Sequence, residues 1–171
     1  MVGETLLWLG VAAITAIAMD LWSILLHGRL WHGPLWAIHA SHHTKRRGRF
    51  ELNDLLSGLH APIAIALILY GSAGPGSLRA VAFGVGIGMT AFGLAYVIVH
   101  DGLVHKRLPA RALRAVPYLR AVARDHLVHH AGTEGGVPYG LFLGPLELAR
   151  HRRLKRSRSA SMSRSRGASG A

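Results

Sequence analysis

The 171-residue chain has no cysteine, which excludes disulfides, thiolate zinc sites and iron–sulfur clusters. Any metal it holds must therefore rest on imidazole or carboxylate. Acidic side chains are scarce as well, 8 Asp and Glu against 20 Lys and Arg, and the E-x-x-H pattern by which soluble di-iron bundles gather carboxylates is missing. No dinucleotide fingerprint follows a strand, because Gly84, Gly86 and Gly88 lie inside an apolar run.

What is present is equally uneven. Half the residues are apolar, yet the formal net charge is +12 and the pI about 11.5. A soluble domain would have to house that basic surface beside that much apolar side chain, whereas a membrane protein separates them. The length suits one domain. Residues 5–26 form an apolar run of membrane-spanning length, interrupted only by Asp20 and small polar residues. It is too long for a secretory signal core and has neither a charged leader nor a cleavage site. A second run covers 55–70, with His60 and Pro62 near its start, and the breaker cluster of residues 71–77 follows it. The third, 80–99, carries Gly84, Gly86, Gly88 and Gly93, which allow close helix packing. Residues 135–149 are broken by Pro138 and Pro145 and read as an interfacial or re-entrant cap rather than a confident fourth span. The stretch 150–171 is Arg/Ser-rich and reads as a disordered basic tail, leaving 1–149 as the membrane domain. The expected class is an all-α membrane bundle of three to four spans with a helical histidine-rich cap.

Parity orients the bundle. Three spans put residues 27–54 and everything from His100 onward on one side, and of the 20 Lys and Arg only Arg79 falls on the other. Discounting the tail, the first loop still holds Arg29, Lys45, Arg46, Arg47 and Arg49. The positive-inside rule makes that side cytoplasmic. Basic charge alone would also suit nucleic acid, but these cations lie beside hydrophobic spans, so no nucleic acid is expected.

The 12 histidines are the second anomaly. His27 and His32 make H-x4-H, and His39, His42 and His43 make H-x2-H-H. His100 and His105 repeat the first pattern, and His126, His129 and His130 repeat the second. Parity, argued without reference to histidine, places all four groups on the cytoplasmic side. On a helix, residues three and four apart share a face, so each H-x2-H-H can present its imidazoles together. A five-residue step leaves about 140° between side chains at 3.6 residues per turn. The H-x4-H pairs therefore suit two metals, or a helix unwinding at the membrane surface, better than one chelate. Ten imidazoles exceed one ion and overshoot two zinc sites, while four or five per ion suit two five- or six-coordinate metals. Iron, copper, manganese and nickel remain open on this ground. His60 stands outside the pattern, as a packing residue or an auxiliary ligand, and His151 reads as solvated. Asp20, Asp54, Asp101 and Asp125 are candidates to orient imidazoles through their other ring N–H, the alternative being pairing with nearby Arg and Lys. Trp31 and Trp36 read as interface anchors.

The stretches Trp31-His-Gly33, His39-Ala-Ser-His-His43, Phe50-Glu-Leu-Asn-Asp54, His100-Asp-Gly-Leu-Val-His105 and His126-Leu-Val-His-His130 with Glu134-Gly-Gly resemble the bacterial β-carotene 3-hydroxylases of the fatty acid hydroxylase superfamily. The likeness runs from about Ala18 to Pro145. The histidine skeleton alone indicates the superfamily, which also holds sterol and fatty acid hydroxylases and desaturases. Phe50 to Asp54 and His100 to His105 narrow it to carotenoid hydroxylases. His60 and the basic tail depart from the pattern.

The resemblance implies a non-haem monooxygenase with two iron ions held by the ten histidines, O2 as co-substrate, and hydroxylation at C3 of a β-ionone ring to β-cryptoxanthin and zeaxanthin. It implies a carotenoid drawn from the bilayer and a bacterial inner-membrane location. Half the electrons that reduce O2 must come from a donor, ferredoxin or another NAD(P)H-linked redox protein. The cations of Lys45 to Arg49 and Lys106 to Arg124 would dock that donor or bind anionic lipid. A non-catalytic membrane metal carrier is the reading from another class.

Overall fold

The computed structural model describes residues 2–45, 48 and 50–168, and it is all-helical, with no strand among those residues. In chain order its α-helices are α1 (Val2–Leu25), α2 (Trp36–His43), α3 (Asn53–Gly58), α4 (His60–Ser72), α5 (Ser77–Tyr96), α6 (Pro117–Ala131) and α7 (Gly144–Ala168). Helices α1 and α5 run on into π-helical turns, Leu26–Trp31 and Val97–Val104. Three continuous runs are long and apolar enough to cross a membrane: Val2–Trp31, Asn53–Ser72 and Ser77–Val104. At 1.5 Å per residue the first is about 45 Å long, against a hydrocarbon core of about 30 Å. The surplus lifts the histidine-bearing ends clear of the lipid. Ile14, Ile17, Leu69 and Leu78 are among the large apolar side chains left exposed on these runs, as a lipid-facing surface requires.

Helix α5 is the centre of the bundle, with α1 and α4 each packed on it rather than on one another. Glycine spacing explains why. A Cβ on Gly84 would lie 2.6 Å from the Trp8 carbonyl oxygen, and one on Gly88 2.5 Å from that of Ala12. One on Gly86 would meet the Ala64 carbonyl oxygen at 2.8 Å. Gly84 and Gly88, four residues apart, thus admit the backbone of α1, and Gly86 admits α4 on the other side. In lipid, where apolar surface gains nothing from hiding, such backbone approach is a main source of helix association.

No fourth span appears among the described residues. Residues 135–143 form a loop, including a cis Val137–Pro138 bond, pinned from both sides. The carboxylate of Asp20, only 4 % exposed, accepts the backbone N–H groups of Leu141, Phe142 and Leu143 at 3.3, 3.3 and 2.6 Å. Glu147, in the first turn of α7, accepts those of Tyr139 and Gly140, both at 3.0 Å. The segment from Arg150, whose composition reads as disordered, differs from that expectation: it continues α7 as a helix through Ala168. Arg152 and Lys155 reach Glu134 at 3.0 and 3.3 Å, tying its first turns to the loop, and Arg and Ser between them carry no backbone breaker before Gly167. Residues 169–171 lie outside the described residues, as do Arg46, Arg47 and Arg49 of the basic loop.

Gly88→Ala should destabilise the detergent-solubilised protein by about 1–3 kcal/mol through overpacking against α1. Gly93→Ala, with nothing within 4 Å of its new methyl, should be neutral or gain up to about 1 kcal/mol of helix propensity. Equal melting temperatures for the two variants would remove close α1–α5 approach as the constraint.

Candidate metal centre

The two π-helical turns decide how the H-x4-H pairs are used. The His32 N–H donates to the His27 carbonyl at 3.0 Å, and the His105 N–H to that of His100 at 2.9 Å, both five-residue steps. With about 4.4 residues per π turn, a five-residue step separates side chains by about 50° instead of about 140°. The ring centroids of His27 and His32 are accordingly 5.0 Å apart and those of His100 and His105 4.6 Å. Of the two readings of these pairs, sharing between two metals or a helix that unwinds, the structure shows a departure from the α-helix: widening one turn puts both imidazoles in one group.

The ten motif histidines converge at one end of the bundle in two groups. His27, His32, His39, His43 and His129 place a ring nitrogen each within 4.8 Å of one another, and so do His42, His105, His126 and His130. His100 joins the second group, its Nε2 lying 3.1 Å from that of His42. The sequence duplication is thus a spatial one with an exchange. Each copy supplies an H-x4-H pair and two residues four apart to its own group, and sends the odd histidine, His42 or His129, to the other.

Protonation follows from what faces each Nδ1. His27 Nδ1 meets the Tyr139 carbonyl at 2.8 Å, and His129 Nδ1 meets the Gly136 carbonyl. His42 Nδ1 meets Glu51 at 3.2 Å, His100 Nδ1 meets Asp101 at 2.8 Å, and His39 Nδ1 meets the Asn53 Oδ1 at 2.7 Å. All five partners are acceptors, so Nδ1 carries the proton and Nε2 is a bare lone pair. Yet the Nε2 atoms of His27 and His39 face each other at 3.0 Å, and those of His42 and His100 at 3.1 Å. Two lone pairs so placed repel unless a cation lies between them. Burial, reinforced by neighbouring imidazoles, holds His43 and His105 down at about 3, His130 at about 2, and His126 well below the usual imidazole range. Burial likewise holds His39 and His129 at about 4. At neutral pH these rings do not supply the missing positive charge themselves. The His105 Nε2 is buried without any hydrogen-bond partner among the described residues.

These residues fit metal ions, and they fit a coordination number above four. Nitrogens at right angles about an ion with bonds of about 2.1 Å are about 3.0 Å apart, against about 3.4 Å at the tetrahedral angle. The five nearest Nε2 pairs lie 3.0 to 3.2 Å apart, among them His32–His129, His39–His43 and His126–His130, and each group of ligand atoms fits within 4.8 Å. Five imidazoles about a six-coordinate ion leave one position open.

The carboxylates divide. Asp101 sits on His100, but Asp20 caps the 141–143 loop, and Asp125 pairs with Arg124 at 2.7 Å. Asp54 binds Arg107 through both oxygens at 2.8 and 2.7 Å and accepts the Glu51 N–H. Of the two readings of these carboxylates, pairing with arginine describes Asp54 and Asp125, backbone N–H groups take Asp20, and Asp101 is the one of the four that orients an imidazole. Sequence reasoning missed Glu51 and Asn53, although both stand in the Phe50-to-Asp54 stretch, and also the Gly136 and Tyr139 carbonyls, which no side-chain pattern signals. His151 lies 3.8 Å from Glu134. His60 is in neither group; its Nε2 accepts the Trp22 indole N–H at 3.1 Å.

A cavity of about 560 Å³ opens beneath the clusters between α1, α4 and α5. Its walls are mostly apolar, with Asp54, Asp101 and Arg107 marking its polar end. It abuts both groups: Trp31, buried rather than at an interface, packs 5.4 Å from His27, and Tyr96 stacks on His100 at 4.5 Å. Trp36 remains half exposed beside His32.

Comparison with known proteins adds the lineage. The fatty acid hydroxylase family model matches residues 12–148. The chain belongs to that family. It is 51 % identical over 133 residues to the chloroplastic β-carotene 3-hydroxylase of Gentiana lutea, covering 78 % of this hydroxylase-family chain and 42 % of that protein. A β-carotene 3-hydroxylase 1 of Arabidopsis thaliana gives 51 % over 133 residues, 78 % of this chain and 43 % of the relative. The β-carotene hydroxylase of Pantoea ananas is 42 % identical over 145 residues, 82 % of this chain and 81 % of the relative. The chain thus spans less than half the length of these plant relatives and most of the bacterial one. No solved structure matches it.

Asp20 touches no imidazole, yet it holds the loop whose Gly136 and Tyr139 carbonyls fix His129 and His27. Asp20→Ala should therefore lower the metal content of the purified protein at least twofold, measured by plasma mass spectrometry, while Ser23→Ala retains it. Undiminished metal in Asp20→Ala would disconnect the loop from the centre.

Proposed function

We propose that this chain is an O2-dependent non-haem di-iron monooxygenase that hydroxylates C3 of carotenoid β-ionone rings, taking β-carotene to β-cryptoxanthin and zeaxanthin. The observation that carries this reading is the pair of imidazole clusters packed behind Trp31 and Tyr96, two residues that line an apolar cavity within the membrane bundle. The carotene hydroxylase relatives support the choice of substrate. A saturated ring carbon has no acidic proton, so acid–base chemistry does not open it. Two iron ions held by His27, His32, His39, His43 and His129, and by His42, His100, His105, His126 and His130, would supply the oxidising power.

The protein's own task is to bind and orient. A C40 hydrocarbon dissolves only in the bilayer, and the cavity lies among the membrane-spanning α1, α4 and α5, within reach of such a substrate. Apolar walls formed by Met19, Leu26, Trp31, Phe92 and Val97 exclude water and seat the ring beside the clusters. Glu51, Asn53, Asp101 and the Gly136 and Tyr139 carbonyls hold the imidazoles in the required tautomer and orientation. In total the ring C–H, O2, two electrons and two protons give the alcohol and water. The two electrons come from a donor such as ferredoxin, and we assign the active end to the cytoplasmic side of a bacterial inner membrane from the basic loops. A metal carrier would need a polar path through the bundle, and α1, α4 and α5 are instead packed through glycine contacts.

In a carotene-accumulating host with a redox partner supplied, expression should convert β-carotene to its mono- and dihydroxylated forms, and the purified protein should hold about two irons per chain. His42→Ala and His129→Ala, one exchanged histidine each, should lower turnover at least 100-fold while still inserting into membrane. Unchanged β-carotene with the protein present, or full activity in either variant, would sink the assignment.

A further inference from the structure

His60 is the one histidine of the membrane bundle that the metal clusters leave unused, and the cavity gives it a role. It lies at the start of α4 and lines the cavity together with Trp22 of α1. Their hydrogen bond, indole Nε1 to imidazole Nε2 at 3.1 Å, joins α1 to α4, helices that otherwise meet through α5. An indole N–H only donates, so His60 Nε2 carries no proton. A neutral imidazole then bears its hydrogen on Nδ1. Among the described residues no acceptor meets that N–H. Of the other polar groups lining the cavity, the Ser23 and Thr90 hydroxyls turn back to the carbonyls of Asp20 and Gly86, and Asp54 and Asp101 bind Arg107. Trp22 thus sets the tautomer that points His60 Nδ1–H, an uncommitted donor, at the mostly apolar surroundings of the cavity.

A bare hydrocarbon ring cannot satisfy that donor. An unpaired N–H in apolar surroundings is costly, and a site built around a hydrogen bond discriminates strongly against the ligand that lacks it. We propose that His60, held by Trp22, is a specificity-determining residue whose Nδ1–H binds an oxygen already carried by the substrate ring, so that the enzyme favours keto-bearing β-rings over unsubstituted ones. A ketone is the suited acceptor, because its oxygen takes the His60 N–H without bringing a proton that would need an acceptor of its own. The inference rests on the carotenoid reading above and adds the oxidation state of the ring that is bound.

The test compares two carotenes in membranes holding the metal-loaded protein and its electron donor: β-carotene, and a carotene with a ketone on the ring carbon next to the hydroxylated position. The wild type should show a kcat/KM about tenfold higher for the keto ring. His60→Leu should abolish the preference, bringing the kcat/KM ratio of the two carotenes to about one, and His60→Asn, which retains an N–H donor, should restore part of it. Trp22→Phe, which frees Nε2 and lets the proton leave Nδ1, should lower the ratio at least threefold with metal content unchanged. A wild type without preference, or a ratio unmoved in His60→Leu and Trp22→Phe, overturns the proposal. Equal losses on both pigments in His60→Leu, without recovery of the ratio in His60→Asn, overturn it too. A wild type that converts neither pigment would instead overturn the carotenoid reading itself.

Discussion

The structure is organised around lone pairs that face one another. Five imidazoles carry their hydrogen on Nδ1 because a carbonyl, amide oxygen or carboxylate waits there, and that choice turns Nε2 inward without a proton. The Nε2 atoms of His27 and His39, and those of His42 and His100, 3.0 and 3.1 Å apart, are then mutually repulsive, and burial keeps rings such as His39 from relieving the repulsion by charging. Such an arrangement has a low free energy only around cations. Much of the chain outside the membrane can be understood as the means of holding it: α2 and α6 carry the H-x2-H-H motifs, the 50–54 stretch brings Glu51 and Asn53, and the 135–143 loop brings two carbonyls.

That loop shows how far the constraint reaches. Asp20 is a carboxylate inside a membrane-spanning run, where an unpaired charge is expensive. Three backbone N–H groups satisfy it, and in return it fixes a loop with no regular structure of its own. Glu147 closes the same loop from α7. An intramembrane acid thus acts on the metal site at one remove, through main-chain carbonyls. The Asp54–Arg107–Asp101 group does the same for His100, tying the start of the second span to the end of the third.

Much of this was legible in the amino-acid order, for a physical reason. Length and hydropathy report the spans directly, and ten histidines in a duplicated pattern on one side of the membrane leave little besides metal binding. The grouping was not legible. It depends on two π-helical turns, and the 3.6-residue period sends His27 and His32 apart where the widened turn brings them together. Nor did the odd histidine of each H-x2-H-H announce the cluster opposite its own, since that depends on how α2 and α6 approach. Carboxylates were over-read for a simpler reason. Proximity in sequence suggested that Asp20, Asp54 and Asp125 orient imidazoles, but a carboxylate goes to the donors nearest in space, and those were backbone amides and arginines. The helical continuation of α7 past Arg150 was hidden because composition reports a poor core, not a helix extended from a docked first turn.

The division of labour between the two ends of the cavity follows from the same chemistry. At the cluster end, the orienting groups are engaged: each acceptor has its imidazole, and Arg107 has its two carboxylates. Such pairing rigidifies, which a site needs if it is to hold a ring in one pose. Along the wall the balance is reversed, with Gly93 leaving open space and the surroundings apolar. A hydrocarbon slides on such a wall without a preferred register, because dispersion is non-directional. Choosing one ring carbon over its neighbours therefore requires either shape at the closed end or a directional contact along the side. For the proposed substrate, Trp31 and Tyr96, packed against one cluster each, would provide the first.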